Sequence, residues 1–455
     1  MAKKTETSQR SGICCYYFKS SFKFAGGVWL GGSNCPTDEE ELIPLVEYYW
    51  KLGFNDPDIA SHCLDHFERG QYGLSAKTIQ RLRKKLDLKG TRQQAATSET
   101  IMPFFLEIRE RFPTMGARAM VSLLRQDYGI KISENFLNKF FKEIEPDALR
   151  QRVAKKFKQK RFWSAGVMDM ICFDQHDKWK RFGLWPHLGL NPYTGRILWL
   201  NIWWTNRNPK LVTSYYIIAC RRVGGVPLIS QSDAGSENYG IANCHTVIRQ
   251  RLDPTLAGTL QHRWMGKDGL NVKPEAGWSY FRRWFTPAFE NILDDGVHQG
   301  LYNVEKPLEN LVFRWLAIPW LQREIDAWNK ILPQGIPDLI AAKPHLYGTE
   351  DYKVIVSPEL FDEMEQQWAP PDDPVFALTP PVFTQKVEAV YEALGRPEVT
   401  HRTFWTVYCA ILDRIVLVDE DLTVPPPLED TGSNQSRDLA EAGLVLSPRK
   451  RRRMN

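Results

Sequence analysis

The stretch Val226-Pro227-Leu228-Ile229-Ser230-Gln231-Ser232-Asp233-Ala234-Gly235-Ser236-Glu237-Asn238 reads as a short strand that runs out into an acid, a glycine and a helix start. A brief apolar run bounded by turn residues is the pattern of a buried strand. Residues 226–230 supply it, ending at Asp233, and Ser236 or Asn238 starts a helix to about Gln250. Three strand-like segments precede it: 167–173, interrupted by Asp169; one ending at 189–191; and 197–204, rich in β-branched and aromatic residues. Pro192-Tyr193-Thr194-Gly195 reads as the turn between the last two. Asn208-Pro209 opens a helix with Leu211, Tyr215 and Ile218 on one face, closed by Gly224-Gly225. Strands, helix, strand, helix in that order predict an α/β fold with a mixed sheet.

Three acids stand out by position: Asp174 at the end of the first strand, Asp233, and Glu275 on a predicted helix in Asn271-Val272-Lys273-Pro274-Glu275-Ala276-Gly277-Trp278. Acids at strand ends and at a helix start can converge at one edge of a sheet. Carboxylate oxygens suit hard divalent cations. Asp169 and Asp177 are rivals for the first position, and the register of the strand decides which face Asp169 takes.

Spacing alone does not single out three acids in a chain with 54 of them. The motifs do. Asp233 with Gly235 and Glu237 resembles the D-x-G-x-E/F motif of the retroviral-integrase-like (DDE transposase) catalytic core, and Asn271 with Glu275 resembles its third motif. Residues 192–195 resemble the turn between that family's second and third strands. A closer likeness is to integrase core domain proteins of mushroom-forming fungi. It rests on Asp174-Gln175-His176-Asp177-Lys178-Trp179, Trp203-Trp204-Thr205-Asn206-Arg207-Asn208-Pro209 and Leu260-Gln261-His262-Arg263-Trp264. The general likeness covers about 162–330, the fungal one about 37–410.

The resemblance implies a ribonuclease H-like core with a mixed five-stranded sheet, over 162–345. It also implies two Mg²⁺ or Mn²⁺ ions held by Asp174, Asp233 and Glu275, and DNA integration by phosphodiester cleavage and strand transfer. His176 and His262 are candidates for substrate contacts or for supporting hydrogen bonds. Arg282 and Arg283, on the Glu275 helix, either touch DNA phosphates or are solvated. A second reading is an integrase-derived DNA-binding protein without catalysis, suggested by a short junction at 329–332. A third is a metal nuclease acting on RNA.

N-terminal to this core, residues 37–95 read as helix, helix, turn and basic helix. Thr37 and Glu40 form a capping box, and Asn55-Asp56-Pro57 and Ser75 mark the next two starts. The third helix carries Arg81, Arg83, Lys84 and Lys85, as a helix-turn-helix DNA reader would. The plain alternative is a helical bundle with a solvated basic face. Residues 96–149 repeat the pattern with helices at 101–112, 116–128 and 134–144. His62 and His66, one turn apart, read as surface histidines before metal ligands.

Residues 150–161 hold Lys155, Lys156 and Lys158 among seven basic residues and no acid, a linker that can also track phosphates. Trp315, Trp320 and Trp328 mark a helical stretch from 308 to 329, with Pro319 expected to kink it. A helical appendage spans 346–420. Residues 1–36 read as an irregular tail and 421–455 as a disordered one ending in Arg449, Lys450, Arg451, Arg452 and Arg453, a nuclear import signal or a solvated tail.

Composition agrees with a packed protein: 43% hydrophobic, 25% charged and 16 Trp. The net charge of +5 is mild, so charge distribution matters more than its sum. Eight scattered cysteines without a C-x-x-C pair argue against a zinc ribbon and fit a reducing compartment. Lys19 and Lys23 break the apolar run at 14–30, so no membrane span is expected there. The expected partner is double-stranded DNA, both element ends and target, bound by a homo-oligomer in the nucleus.

Overall fold

The structure, a computed structural model, describes residues 39–67, 73–154, 162–265, 271–331 and 336–418. The tails expected at 1–36 and 421–455, the basic residues Lys155, Lys156 and Lys158, and the run Arg449 to Arg453 lie outside the described residues.

Two compact units emerge, one running to Asp87 apart from Lys51–Gly53, the other holding Lys51–Gly53 and Leu88 onward. The first contains α1 (Glu39–Leu52), α2 (Asp56–Leu64) and α3 (Ala76–Lys85). Side chains of Asn55 and Ser75 accept from the N–H groups of Asp58 and Thr78, so α2 and α3 start where the sequence places their caps. Leu42, Val46, Ile59, Cys63, Ile79 and Leu82 are buried. Arg81, Lys84 and Lys85 are exposed on α3, but Arg83 is not. Its guanidinium turns inward onto Asp56, with Nε and Nη2 at 2.5 and 2.9 Å from the two carboxylate oxygens. That corrects the expectation that Arg83 contacts DNA: a bidentate pair ties α3 to α2. His62 stacks on Tyr49 and His66 bonds the Tyr49 hydroxyl at 2.9 Å, an aromatic cluster instead of a ligand pair.

The second unit opens with α4 (Thr91–Gln94), α5 (Ser98–Arg111), α6 (Ala117–Asp127), α7 (Glu134–Ile144) and α8 (Pro146–Ala154). Ser133 caps α7 as read from the sequence. These helices do not stand apart. They share one apolar cluster with everything downstream, and Arg111 pairs with Glu324 at 2.8 Å.

The main sheet contains β1 (Met170–Gln175), β2 (Trp185–Leu190) and β3 (Ile197–Trp203). After α9 (Pro209–Val223) and a short β4 (Gly225–Val226) come β5 (Ile229–Asp233), α10 (Tyr239–Leu252) and β6 (His262–Met265). Strand order is β3-β2-β1-β5-β6. β2 lies antiparallel to β1 and β3, while β5 is parallel to β1 and β6. The mixed five-stranded sheet is therefore present. The hairpin turn is set by Asn191, whose Oδ1 accepts from the N–H groups of Tyr193 and Thr194, both at 3.1 Å.

Three boundaries differ from the sequence reading. β1 starts at Met170, not 167, because Asp169 turns its carboxylate back onto Ser164 Oγ and the Ala165 N–H. It then runs on through Asp174. The strand expected at 226–230 is split: β4 pairs with β7 (Val354–Ile355), and β5 joins the main sheet. Pro227 between them has no N–H to give to a ladder. β6 was not foreseen, since the four residues His262-Arg263-Trp264-Met265 are too few and give no alternation to read.

Helices cover both faces. α11 (Val272–Trp284) lies so close to β2 that a Cβ at Gly277 would stand 2.6 Å from Leu188 Cδ2. On the other face the Tyr216 ring of α9 meets Trp199. α12 (Thr286–His298) and α13 (Pro307–Ile331) follow, and α13 continues through Pro319. Gln322 of α13 accepts from the Ile202 N–H and donates to the Leu200 carbonyl, capping the free edge of β3. Beyond α14 (Ile336–Ala342), the appendage of α15 (Pro358–Trp368), α16 (Pro381–Ala393) and α17 (Phe404–Val418) completes the core. Trp320 stacks on Phe404, and Trp405 donates to the Ile292 carbonyl at 2.7 Å. No described helix is long and apolar enough to cross a membrane.

Candidate active site

Asp174 and Asp233 are neighbours by register. The parallel pairing of β1 with β5 matches Met170 to Ile229, Ile171 to Ser230 and Cys172 to Gln231. The same offset carried two residues further sets Asp174 beside Asp233. Adjacent strands lie about 4.8 Å apart, and equal parity puts both side chains on one face. Both acids therefore stand at the carboxyl ends of adjacent parallel strands, where α/β sheets open into a crevice.

Glu275 reaches the same face from α11. Asn271, just before that helix and fully buried, fixes its start. Its Nδ2 donates to the Phe173 carbonyl of β1 at 2.9 Å, and its Oδ1 accepts from Gln231 Nε2 of β5 at 3.2 Å. One side-chain amide thus clamps the two strands that carry the aspartates, and the backbone carbonyl of Asn271 takes the Glu275 N–H at 3.2 Å. In the first turn Glu275 also lies at the positive end of the helix dipole. One turn on, the Trp278 indole donates to Asp174 Oδ2 at 3.1 Å.

The electrostatics report the convergence. Burial first, then the charge of Asp233, pushes the Asp174 carboxyl up to about 7. The Gln175 N–H and the Trp278 indole act against that rise, and Glu275 adds to it. The charges of Asp233 and Glu275 thus both act on the Asp174 carboxyl. Asp169 and Asp177 do not contribute: the first is engaged by Ser164 and Ala165, the second by Asn206 Nδ2 at 3.3 Å.

His176 stacks on Trp278 with ring centroids 4.8 Å apart. Burial, then the charges of Arg282 and Lys178, lowers it to about 4, so it is neutral at pH 7. His262 makes supporting hydrogen bonds within the sheet. It is buried between Ser230 Oγ at 2.7 Å and Ser232 Oγ at 3.2 Å, and burial pushes it down to about 3. Arg282 is exposed at the end of α11, whereas Arg283 is half-buried with its guanidinium 5.7 Å from the Trp284 ring.

Among the described residues, no three His, Cys, Asp or Glu side chains already stand at the spacing of a finished metal cage. The donor set fits hard cations on chemistry: oxygen only, three like charges, and one carboxyl whose charged form is disfavoured without a counter-ion. Trp278 was read from the sequence as sharing a helix face with Glu275 and Arg282, but Gln231 was not singled out. Polar Ser230-Gln231-Ser232 inside a buried strand was the readable signal, because buried polar groups require partners. No protein-family model matches the chain, and no curated protein is significantly similar to it.

Proposed function

We propose that this chain is a DNA-integrating polynucleotidyl transferase with a ribonuclease H-like core. In this reading Asp174, Asp233 and Glu275 hold two Mg²⁺ or Mn²⁺ ions. What supports it is the parallel pairing of β1 with β5, whose offset extended by two residues sets Asp174 beside Asp233, together with the charges of Asp233 and Glu275 that raise the Asp174 carboxyl. Antiparallel pairing on one side of β1 and parallel pairing on the other supports the fold assignment. Bound there, a divalent pair supplies Lewis acidity toward the attacking and leaving oxygens of an in-line displacement at phosphorus. Asp174, whose carboxyl feels the charges of both Asp233 and Glu275, would hold the ions together with them, and exposed Arg282 would meet the adjacent phosphate. Neutral His176 holds Trp278, and through it the Asp174 carboxyl, in place.

The test is cleavage and joining of linear duplex DNA with Mg²⁺, wild type against Asp233→Asn. Loss of both steps in the variant is expected, and equal activity would reject the assignment. Duplex binding without cleavage by the wild type would instead establish the binding-only reading.

Duplex DNA is the partner this reading requires, and the exposed Arg81, Lys84 and Lys85 of α3 are its first contacts. Replacing all three by Ala should lower the log–log salt slope of duplex binding by about 2–3, since each neutralised phosphate contributes about 0.9. An unchanged slope points to a plain helical bundle. Joining two element ends calls for a multimer, and the Arg449 to Arg453 run is assigned to nuclear import.

A further inference from the structure

Beyond the three acids, the residues that end β1 and β5 are tied together by a buried carboxylate. Glu237 is 7% exposed and follows Asp233 by four residues in a single 3₁₀ turn. Its Oε1 accepts from Gln175 Nε2 at 2.7 Å and from Asn238 Nδ2 at 3.3 Å. That same Nδ2 also donates to the Asp233 carbonyl at 3.1 Å. On the other arm Gln175 follows Asp174 directly in β1, and its backbone N–H favours the charged Asp174 carboxylate. A continuous path therefore runs from Asp174 through Gln175, Glu237 and Asn238 to Asp233.

The path is built for a carboxylate. Gln175 turns its amide N–H onto Glu237, and Asn238 divides its own between Glu237 and the Asp233 carbonyl. Gln175 Oε1 and Asn238 Oδ1 are then buried with no hydrogen-bond partner among the described residues. Amides adopt such an orientation when a charged acceptor outweighs the loss at their oxygens. Gly235 makes room: a Cβ there would stand 1.8 Å from Glu237 Oε1. The glycine and the glutamate of the motif are thus a pair, one vacating the space the other fills.

We propose that Glu237 is a positioning residue that sets the separation of Asp174 and Asp233 by bridging the ends of their strands. It touches neither substrate nor ion. This inference rests on the reading of the three acids as a divalent-cation site.

The test is Mn²⁺ binding to the full chain, followed by electron paramagnetic resonance, with thermal melts as a check on folding. Glu237→Ala should weaken Mn²⁺ binding by about tenfold, the usual scale for a residue that supports a metal ligand. Glu237→Gln keeps an oxygen acceptor and should stay within about threefold of wild type. Gln175→Ala removes the other half of the bridge and should match Glu237→Ala. The double variant should be no weaker than either single one, since both cut one path. If Asp233→Asn loses Mn²⁺ while Glu237→Ala and Gln175→Ala bind like wild type, the bridge is refuted and the cation site stands. If Asp233→Asn binds like wild type, the cation site fails and the bridge with it.

Discussion

Asp174→Asn is expected to abolish Mg²⁺-dependent strand cleavage while making the metal-free protein more stable. The loss should be about 10³-fold or more, the scale on which removing one group that handles transition-state charge is felt. The gain has a separate cause. Asp174 is held at about 7 in the fold against an ordinary 3.8, because it is buried beside Asp233 and Glu275. That rise corresponds to about 4 kcal/mol at 1.36 kcal/mol per pH unit, and solvent at the half-buried carboxyl reduces the expected gain to about 1–3 kcal/mol.

The sign follows from proton binding. Between about pH 4 and pH 7 the folded state keeps a proton on Asp174 that the unfolded chain has released. Stability due to this group therefore falls as pH rises through that window and stays low above it. Buried His176, His187, His245 and His262 act oppositely. Burial holds them at about 3–4, so the unfolded chain takes up protons first as pH falls below 6.5, and stability drops with it. The difference between wild type and Asp174→Asn cancels the histidines. Melting temperatures across pH 5–8 should show the variant ahead at pH 8 and the gap closing toward pH 5. Added Mg²⁺ should raise the wild type and leave the variant unmoved. A variant less stable than wild type at pH 8 contradicts the crowded-carboxylate account.

Asn271→Ala should be the most damaging change outside the three acids. It removes the Asn271 partner of the Phe173 carbonyl and leaves the Gln231 amide only the weak Cys172 Sγ acceptor at 3.5 Å, in a buried site. Losing two such buried hydrogen bonds costs about 2–4 kcal/mol. The same change frees the start of α11, and a displacement of Glu275 by about 1 Å lowers turnover about 10²-fold. Denaturant melts and single-turnover cleavage measure the two effects separately. Full activity in a destabilised Asn271→Ala would show that Glu275 needs no such anchor.

Much of the α/β region was legible. The β2–β3 turn, the start of α9 at Asn208-Pro209 and its stop at Gly224 follow from residues with one favoured backbone use. Caps at Asn55, Ser75 and Ser133 are local hydrogen bonds, so the sequence carries them whole. Where the reading slipped, the deciding contact was distant. β4 is a strand because of Val354 and Ile355, over a hundred residues on. Arg83 is indistinguishable in sequence from Arg81 and Lys84, and only Asp56 across the helix pair draws it inward. The 346–420 appendage looked separable because its own turns are clear, yet Phe404 and Trp405 belong to the central core.

By itself the sequence determined which acids to watch, the alternation of strands and helices, and most helix starts, because these depend on residues within a turn or two of each other. Tertiary structure alone decided that Asp174 stands level with Asp233, that Asn271 fastens the Glu275 helix to both their strands, and that Glu237 closes the link behind them. Those relations arise from register and burial between segments tens of residues apart, and no local pattern encodes a pairing offset.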